Sequence, residues 1–260
     1  MELLEFTRFE TLDYACTEAL NTLCTNLSFA GSRYVKIMVT SHQPGEGKSF
    51  ITMNMMRTLA DLGKKVVMVD ADLRRSTLST RYGIRTQNAQ SRGLTHYLAG
   101  MCEIDDVLHK TDIDGAYIVP MRHEVSNSLS LLNTPRLAQL LNELAEDFDF
   151  VLVDAPPVGV LIDAAEIARF CDGTLLVVSY NTVRRKELNE CKRQIELAGC
   201  KVLGAVLNKM TFDTYSSKKY YNKSYYSYYS PEKVQARKKA REKNVKKSAE
   251  SSSVSRNRSG

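Results

Sequence analysis

Short apolar runs that each end in an acidic or polar residue recur along this chain of 260 residues. Four of them are KVVMVDAD (65–72), FVLVDAPP (150–157), TLLVVSYN (174–181) and KVLGAVLN (201–208), and another predicted strand covers residues 34–40. Continuous apolar runs of this length are typical of parallel strands buried on both faces. Stretches with helical periodicity separate the runs, which predicts right-handed βαβ units and an α/β fold with a mostly parallel sheet flanked by helices.

The helical stretches are recognised by their apolar spacing and their end signals. Residues 10–29 carry Cys16, Leu20, Leu23 and Leu27 at intervals of four, three and four, which is typical of an amphipathic helix. The others are a stretch with Ile51, Met55, Leu59 and Leu62 that Gly63 ends, a stretch that Pro135 begins, and a stretch from Leu188 to Ala198. Residues 75–130 are less regular, and we expect them to pack outside the sheet.

The segment SHQPGEGKSF (41–50) lies between a predicted strand and a helix, which is where a phosphate-binding loop belongs. Such a loop points consecutive backbone N–H groups at a phosphate, and Gly45 and Gly47 permit the backbone conformations that this requires. Lys48 supplies a charge for the β- and γ-phosphates, and the Ser49 hydroxyl suits Mg²⁺. A surface turn that contains GKS by chance is the alternative, and the flanking strand and helix argue against it.

The loop departs from the pattern G-x-x-x-x-G-K-[ST] at one position, because His42 stands where the first glycine is expected. That glycine mainly permits the turn out of the strand, so its loss is serious only if the position requires a positive φ. Pro44-Gly45 is itself a strong turn pair. We therefore expect the loop to form with a different turn out of the strand.

Three aspartates extend the predicted site. Asp70 ends its strand and Asp72 follows two residues later, while Asp154 ends another strand before the stiff Pro156-Pro157 turn. Because ligands of parallel sheets bind beyond the carboxyl ends of the strands, these acids are expected to meet the phosphate loop. An isolated acid at a strand end is usually a helix cap or a solvated loop residue. Mg²⁺ prefers oxygen ligands and keeps several waters, so not all three carboxylates are needed to bind it directly. A carboxylate that does not bind the ion can accept a proton from an attacking hydroxyl group.

Four motifs stand together in this chain: SHQPGEGKS, VVMVDADLRR, FVLVDAPPVG with LIDAA, and GAVLNKM. With a tyrosine-rich end, they make it resemble the bacterial protein-tyrosine kinases (BY-kinases) that are encoded with capsule and exopolysaccharide genes, over about residues 12–230. The resemblance implies a P-loop NTPase fold of the MinD/ParA-like class, in which the loop lacks its first glycine. It also implies an ATP- and Mg²⁺-dependent, autophosphorylating protein-tyrosine kinase that controls polymerisation or export of a surface polysaccharide.

The resemblance also implies roles for individual residues. Lys48 would hold the phosphates, Ser49, Asp72 and Asp154 would bind the metal ion, and Asp70 would be the base for the incoming phenol. The implied catalytic set is Lys48, Asp70, Asp72 and Asp154. The implied nucleotide-binding set is Gly45, Glu46, Gly47, Lys48, Ser49, Phe50 and Asn208, with Asn208 near the adenine.

Gln43 bears on the choice between this kinase and its rivals. MinD-type ATPases carry an additional lysine early in the loop, and Gln43 occupies the corresponding position, which favours the kinase. The first alternative is a MinD/ParA-type ATPase switch that hydrolyses ATP without forming phosphotyrosine. The second is a nucleotide-binding scaffold without catalytic activity.

Seven of the chain's 13 tyrosines lie close together near the C-terminus. They are Tyr215, Tyr220, Tyr221, Tyr225, Tyr226, Tyr228 and Tyr229. The residues between them are Ser, Lys and Asn, so no helical or strand face would bury the rings together. We predict that these tyrosines are the phosphoacceptors, on a segment that reaches the active site of a neighbouring subunit. Stacking on single-stranded nucleic acid is the disfavoured alternative.

The charge of the chain is divided unequally. From Lys218 onward 13 basic residues accompany three acidic ones, a net charge of +10, whereas residues 1–217 hold 23 basic and 27 acidic residues, a net charge of −4. Such a composition predicts a mildly acidic globule with a basic, disordered C-terminal tail. The tail either adds attraction to the anionic inner leaflet of a membrane or is merely solubilising.

Four regions are therefore predicted: an N-terminal helix for oligomer contact (1–30), the P-loop kinase domain (31–212), the tyrosine cluster (213–230) and the basic tail (231–260). In the family the first helix carries E-x-x-R-x-x-R, whose arginines support assembly into a ring. This chain keeps Glu18 but has Asn21 and Cys24 at the arginine positions. A weakened or altered homo-oligomer is expected.

Composition and resemblance together predict a location. No apolar run approaches the ~18 residues that span a bilayer, and the N-terminus lacks the features of a secretory signal. The six cysteines form no C-x-x-C pair, which indicates reduced cytosolic thiols and argues against a thiolate metal site. The resemblance implies a cytoplasmic kinase that a transmembrane activator of the polysaccharide chain-length-regulator class recruits to the inner face of the plasma membrane, and a cognate tyrosine phosphatase.

Overall fold

The computed structural model describes residues 2–31, 33–86 and 91–210. In these ranges the strands are β1 (Leu3–Phe6), β2 (Lys36–Ser41), β3 (Val66–Asp70), β4 (Ile84–Thr86), β5 (His109–Thr111), β6 (Ala116–Val119), β7 (Phe150–Asp154), β8 (Gly173–Ser179) and β9 (Lys201–Asn208). The helices are α1 (Tyr14–Phe29), α2 (Lys48–Asp61), α3 (Leu78–Tyr82), α4 (Leu94–Leu98), α5 (Ile104–Val107), α6 (Ser128–Leu132), α7 (Pro135–Asp147), α8 (Asp163–Ala168) and α9 (Arg185–Leu197).

The strands form one sheet in the order β4-β1-β5-β6-β3-β7-β2-β8-β9, and every pairing from β6 to β9 is parallel. Successive side chains of a strand point to opposite faces. In β3, Val67 and Val69 pack in the core cluster that includes α7, whereas Val66 and Met68 pack in the cluster that includes α1 and α2. The predicted α/β fold, with a mostly parallel sheet flanked by helices, is confirmed.

The sheet is wider than the sequence pattern indicated, because four short strands were missed. The region 75–130, expected to pack outside the sheet, contributes β4, β5 and β6, and β6 pairs directly with β3. The N-terminal segment contributes β1, which is parallel to β5 and antiparallel to β4. These strands have only three or four residues each, which is too short to show a strand period.

Helix α1 packs with one face on α2. Asp13 caps it by accepting a hydrogen bond from the backbone N of Cys16 at 2.7 Å. Its buried residues include Leu20, Cys24 and Leu27, and Cys24 is 0 % exposed, with its Sγ 3.9 Å from the backbone oxygen of Met55. Cys24 stands at a position where the family resemblance implies an arginine of the oligomer contact. In this chain its side chain therefore faces the core.

The helices that the structure describes are all too short or too polar to cross a lipid bilayer.

Candidate active site

The carboxyl ends of three neighbouring parallel strands bring the predicted site together. In the sheet β7 lies between β3 and β2, and Asp70 at the end of β3 is the register partner of Asp154 at the end of β7. Strand β2 ends at Ser41, and the loop that follows leads directly into α2, whose first residue is Lys48. The lysine and the aspartates are therefore neighbours because of strand order, and not because of their spacing in the sequence.

Position 47 of the loop requires glycine because its φ is positive and because the side chain of Asn208 lies close to it. Gly47 has a φ of 96° and precedes α2, and a Cβ built at this residue would lie 2.1 Å from Nδ2 of Asn208. Asn208 donates from this Nδ2 to the backbone oxygen of Glu46 at 2.9 Å. The amide at the end of β9 thus holds the loop closely, and only a glycine fits beside it.

The side chain of Glu46 is a structural brace of the loop. Its Oε2 accepts a hydrogen bond from the backbone N of Gln43 at 2.8 Å, and its Oε1 accepts one from the backbone N of Ser179 at 3.1 Å. The residue is 4 % exposed. The carboxylate therefore ties the loop to the end of β8, which leaves only the backbone of Glu46 for a ligand. No local pattern predicts this role, because Ser179 is 133 residues away.

His42 fits into the loop because the segment after β7 leaves room for its ring. A Cβ at Gly159 would lie 2.1 Å from Nδ1 of His42, and Sγ of Cys191 lies 3.4 Å from the same nitrogen. Among the described residues other than glycine, positive φ values occur at Asn181 and Lys209, so His42 does not have one. The backbone conformation at the position of the usual first glycine is therefore one that a histidine can adopt.

Lys48 is held by a carboxylate of the site. Its Nζ lies 2.9 Å from Oδ2 of Asp72, and both side chains are largely buried. Burial disfavours the ammonium ion, but the carboxylates of Asp154, Asp72 and Asp70 outweigh it and raise the pKa of Lys48 above its ordinary value. The lysine is therefore charged, as a phosphate ligand must be.

Asp70 is a buried carboxyl group with one unsatisfied oxygen. Ser76 donates its hydroxyl to Oδ2 of Asp70 at 2.5 Å, and Oδ1 has no hydrogen-bond partner among the described residues. Burial, together with the nearby Asp154, raises the pKa of Asp70 to about 8, despite the opposing effects of Ser76 and Lys48. A carboxylate with this pKa is a stronger base than an ordinary one.

The oxygen ligands of the site suit a Mg²⁺ ion that binds together with a phosphate. Asp154 is 1 % exposed and its pKa is raised by burial, against the opposing effect of Lys48. Carboxylates, the Ser49 hydroxyl and the unpaired Oδ1 of Asp70 are all hard donors. The described residues contain no cluster of three acidic, His or Cys side chains that could hold a metal alone.

A cavity of about 480 Å³ opens above the loop. It is lined by loop glycines, by Lys48, Ser49 and Phe50 at the start of α2, and by Pro157 and Leu161. Of the predicted catalytic residues, Lys48 and Asp72 line this cavity, whereas Asp70 and Asp154 are buried. The predicted phosphoacceptor tyrosines (215–229) lie outside the described residues.

An ion pair that sequence reasoning missed fixes the segment after β3. Arg74 makes two hydrogen bonds to Asp163, with Nε–Oδ2 and Nη2–Oδ1 distances of 2.9 and 3.0 Å, and Ser128 also donates to this carboxylate. The side chain of Asp163 is 1 % exposed. The pair joins the segment with Asp72 to the start of α8. Both residues lie in quoted motifs, but nothing in the sequence shows that they pair across 89 positions.

Comparisons with known proteins identify related sequences and folds. The AAA domain family matches residues 35–194. The tyrosine-protein kinase CpsD of Streptococcus agalactiae serotype Ia is 32 % identical over 211 residues, which are 79 % of this chain and 90 % of CpsD. The kinase domain of the Escherichia coli tyrosine kinase ETK superposes with a TM-score of 0.68 at 30 % identity, over 76 % of this chain and 79 % of that one. MinD of Pyrococcus horikoshii, complexed with Mg-ADP, has a TM-score of 0.57 at 26 % identity, over 66 % and 68 %.

Proposed function

Because this chain belongs to the bacterial tyrosine-protein kinase family, we propose that it transfers the γ-phosphate of ATP to tyrosines, among them those of its own C-terminal segment. We further propose that this reaction regulates the synthesis or export of a capsular polysaccharide or exopolysaccharide. The observation that carries the proposal is the single cavity in which a phosphate loop and its lysine meet the aspartate that follows β3. The higher TM-scores of the kinase domains favour this function over a MinD-type ATPase switch.

The nucleotide binds through the loop and the start of α2. Backbone N–H groups from Gly45 to Phe50 surround the phosphates, and Lys48 moves from Asp72 to a phosphate oxygen. The position of Asn208 beside the loop supports a place for the nucleoside at the end of β9. Gly47 allows the backbone to approach the phosphates closely.

Ser49, Asp72 and Asp154 hold Mg²⁺, either directly or through water. When bound, the ion neutralises charge on the β- and γ-phosphates. Asp72 becomes available to it as Lys48 takes up a phosphate. Thr52, whose Oγ1 lies 3.4 Å from Oδ1 of Asp154, keeps that carboxylate oriented. These assignments predict that nucleotide affinity depends on Mg²⁺ and falls on chelation.

Asp70 accepts the phenolic proton of the incoming tyrosine. Its raised pKa of about 8 and its unpartnered Oδ1 support this role. The residue is 2 % exposed, so the phenol must enter deeply between the loop and the segment after β3. A hydroxyl on a short side chain does not extend as far as a phenol, which is consistent with selection of tyrosine over serine.

The remaining assignments concern partners and place. A transmembrane activator of the chain-length-regulator class recruits the kinase to the inner face of the plasma membrane, and subunits phosphorylate one another within a homo-oligomer. The family and the basic C-terminal segment support the recruitment. The homo-oligomer is weakened or altered, because Asn21 and Cys24 stand where the family carries arginine. A cognate tyrosine phosphatase removes the phosphates.

The decisive experiment compares the wild-type chain with Lys48→Met after incubation with ATP, Mg²⁺ and the activator's cytoplasmic segment. Mass spectrometry should find phosphate on tyrosines between residues 215 and 229 in the wild type and none in Lys48→Met. Lys201→Met, which removes an exposed lysine of β9, is the matched control and should behave as the wild type. Phosphate on serine alone, or on no residue of the wild type, would overturn the proposed function.

A further inference from the structure

Three arginines line the cavity, and they differ in whether their charge has a partner. Arg74 is paired with Asp163, and Arg81 lies over the ring of Phe50, with its Cζ 5.2 Å from the ring centroid. The guanidinium of Arg75 makes no hydrogen bond, ion pair or ring contact with any residue that the structure describes. Arg75 is exposed and lines the cavity, so its charge is available to a ligand that binds there.

The backbone at Arg75 is fixed on both sides. Its N donates to Oδ1 of Asp72 at 3.2 Å, while Oδ2 of the same carboxylate accepts from Lys48 at 2.9 Å. The preceding residue, Arg74, is anchored by its two hydrogen bonds to Asp163. One carboxylate thus accepts hydrogen bonds from both the Nζ of Lys48 and the backbone N of Arg75, so the backbone at Arg75 is anchored beside the loop lysine.

Phosphoryl transfer needs positive charge around the group that is transferred. Phosphoryl transfer concentrates charge on the equatorial oxygens and on the leaving oxygen, and its catalysis is mostly positioning and electrostatic stabilisation. A guanidinium group is always charged, and its planar set of donors matches two phosphate oxygens. Lys48 of the loop can supply one such charge, and Arg75, which lines the same cavity, is available as a second.

We propose that Arg75 is a further catalytic residue, which contacts the γ-phosphoryl group as it is transferred. The phenolic oxygen forms its bond to the γ-phosphorus while the bond from that phosphorus to the β–γ bridging oxygen breaks. ADP leaves with this electron pair, and the phenolic proton passes to a carboxylate of the site. Arg75 binds the planar phosphoryl group more strongly than it binds ATP, and it keeps its proton throughout. The inference rests on the proposed kinase function and adds a residue to it.

The test uses the full chain with Mg²⁺ and measures binding as well as rate. Calorimetry compares the affinity for ADP alone with that for ADP and aluminium fluoride, which mimics the planar phosphoryl group. The ratio of these two affinities should be lower by about 100-fold or more in Arg75→Ala than in the wild type. Arginines that stabilise the transition state of phosphoryl transfer contribute about 10³–10⁵ to kcat, which is in keeping with this loss. Its affinity for ADP alone should stay within about threefold of the wild type, and kcat should fall much more than the KM for ATP rises.

Two further variants make the result specific. Arg75→Lys keeps the positive charge but loses the planar set of N–H donors, and should recover only part of the preference for the fluoride complex. Arg85→Ala removes an exposed arginine of β4 at the far edge of the sheet, and should match the wild type. An unchanged preference in Arg75→Ala, or an equal loss of affinity for ADP with and without fluoride, would overturn the inference while leaving the kinase function intact. A wild-type chain that binds neither ligand would overturn the proposed function itself.

Discussion

At the residue scale, the loop shows how a side chain in a ligand-binding motif can serve the protein and not the ligand. Glu46 lies between two glycines of a phosphate loop, yet its carboxylate is used by two backbone N–H groups, of Gln43 and Ser179. Asn208 likewise uses its Nδ2 to hold the backbone oxygen of Glu46. Buried polar groups need such partners, since an unsatisfied one costs about 1–3 kcal/mol. These contacts keep the loop in shape for a phosphate.

Replacing Gly47 tests whether this close packing sets nucleotide affinity. Gly47→Ala places a methyl group where Nδ2 of Asn208 lies, so we expect ADP affinity to fall by about tenfold or more, a change of about 1.4 kcal/mol. Gly63→Ala is the control, because Gly63 also has a positive φ, of 78°, but no atom lies within 4 Å of its Cβ position. Calorimetry with ADP and Mg²⁺ measures both variants. Equal ADP affinity in the two variants would contradict the importance of the Asn208 contact.

At the element scale, the segment between β3 and α3 carries much of the site. It contains Asp72, which holds Lys48, and Ser76, which donates to Asp70. The pair between Arg74 and Asp163 anchors this segment to α8, on a carboxylate that Ser128 also contacts. A loop that is fixed at two points in this way can present several charged groups in a defined arrangement.

We expect Arg74→Ala to destabilise the protein by about 2–4 kcal/mol, because it leaves the buried carboxylate of Asp163 without its partner. The loss is smaller than for a fully buried pair because the side chain of Arg74 is 35 % exposed. Arg193→Ala breaks a pair with Glu190 that is exposed on both sides, and should leave the free energy of unfolding close to that of the wild type. Urea unfolding measures both. Similar losses in the two variants would show that the Arg74 pair is an ordinary surface contact.

At the scale of the whole molecule, the described residues up to Lys209 form a compact unit that contains the site. Strand β9 ends at Asn208, directly beside the phosphate loop, so the chain leaves this unit at the edge where the nucleotide is expected. The predicted acceptor tyrosines begin only seven residues further, at Tyr215. The kinase unit and its predicted acceptor tyrosines are thus successive parts of one sequence.

Mixing two variants tests whether transfer occurs between chains. A chain ending at residue 209 keeps the site but has no acceptor tyrosines, whereas full-length Lys48→Met keeps the acceptors without a working loop. With ATP, Mg²⁺ and the activator segment, we expect the truncated chain to phosphorylate Lys48→Met at residues 215–229. Anti-phosphotyrosine detection measures the product. Transfer within one chain would be indicated if Lys48→Met stayed unlabelled while the wild type labelled itself.

The sequence by itself determined the fold class, the phosphate loop and the candidate aspartates. These depend on local signals: continuous apolar runs for buried strands, glycines for positive φ, and a lysine and a serine at fixed positions in the loop. The short strands β1, β4, β5 and β6 were missed, since three or four residues carry too little pattern for a period to appear. The oligomer contact, the membrane activator and the acceptor tyrosines remain predictions.

Only the tertiary structure decided how those residues divide their tasks. It placed Asp70 and Asp154 side by side across two strands, gave Arg74 and Glu46 internal partners, turned Cys24 to the core, and left Arg75 unpaired in the cavity. The physical reason is that a hydrogen bond or ion pair between residues 89 or 133 positions apart depends on strand order and register, which no local pattern encodes.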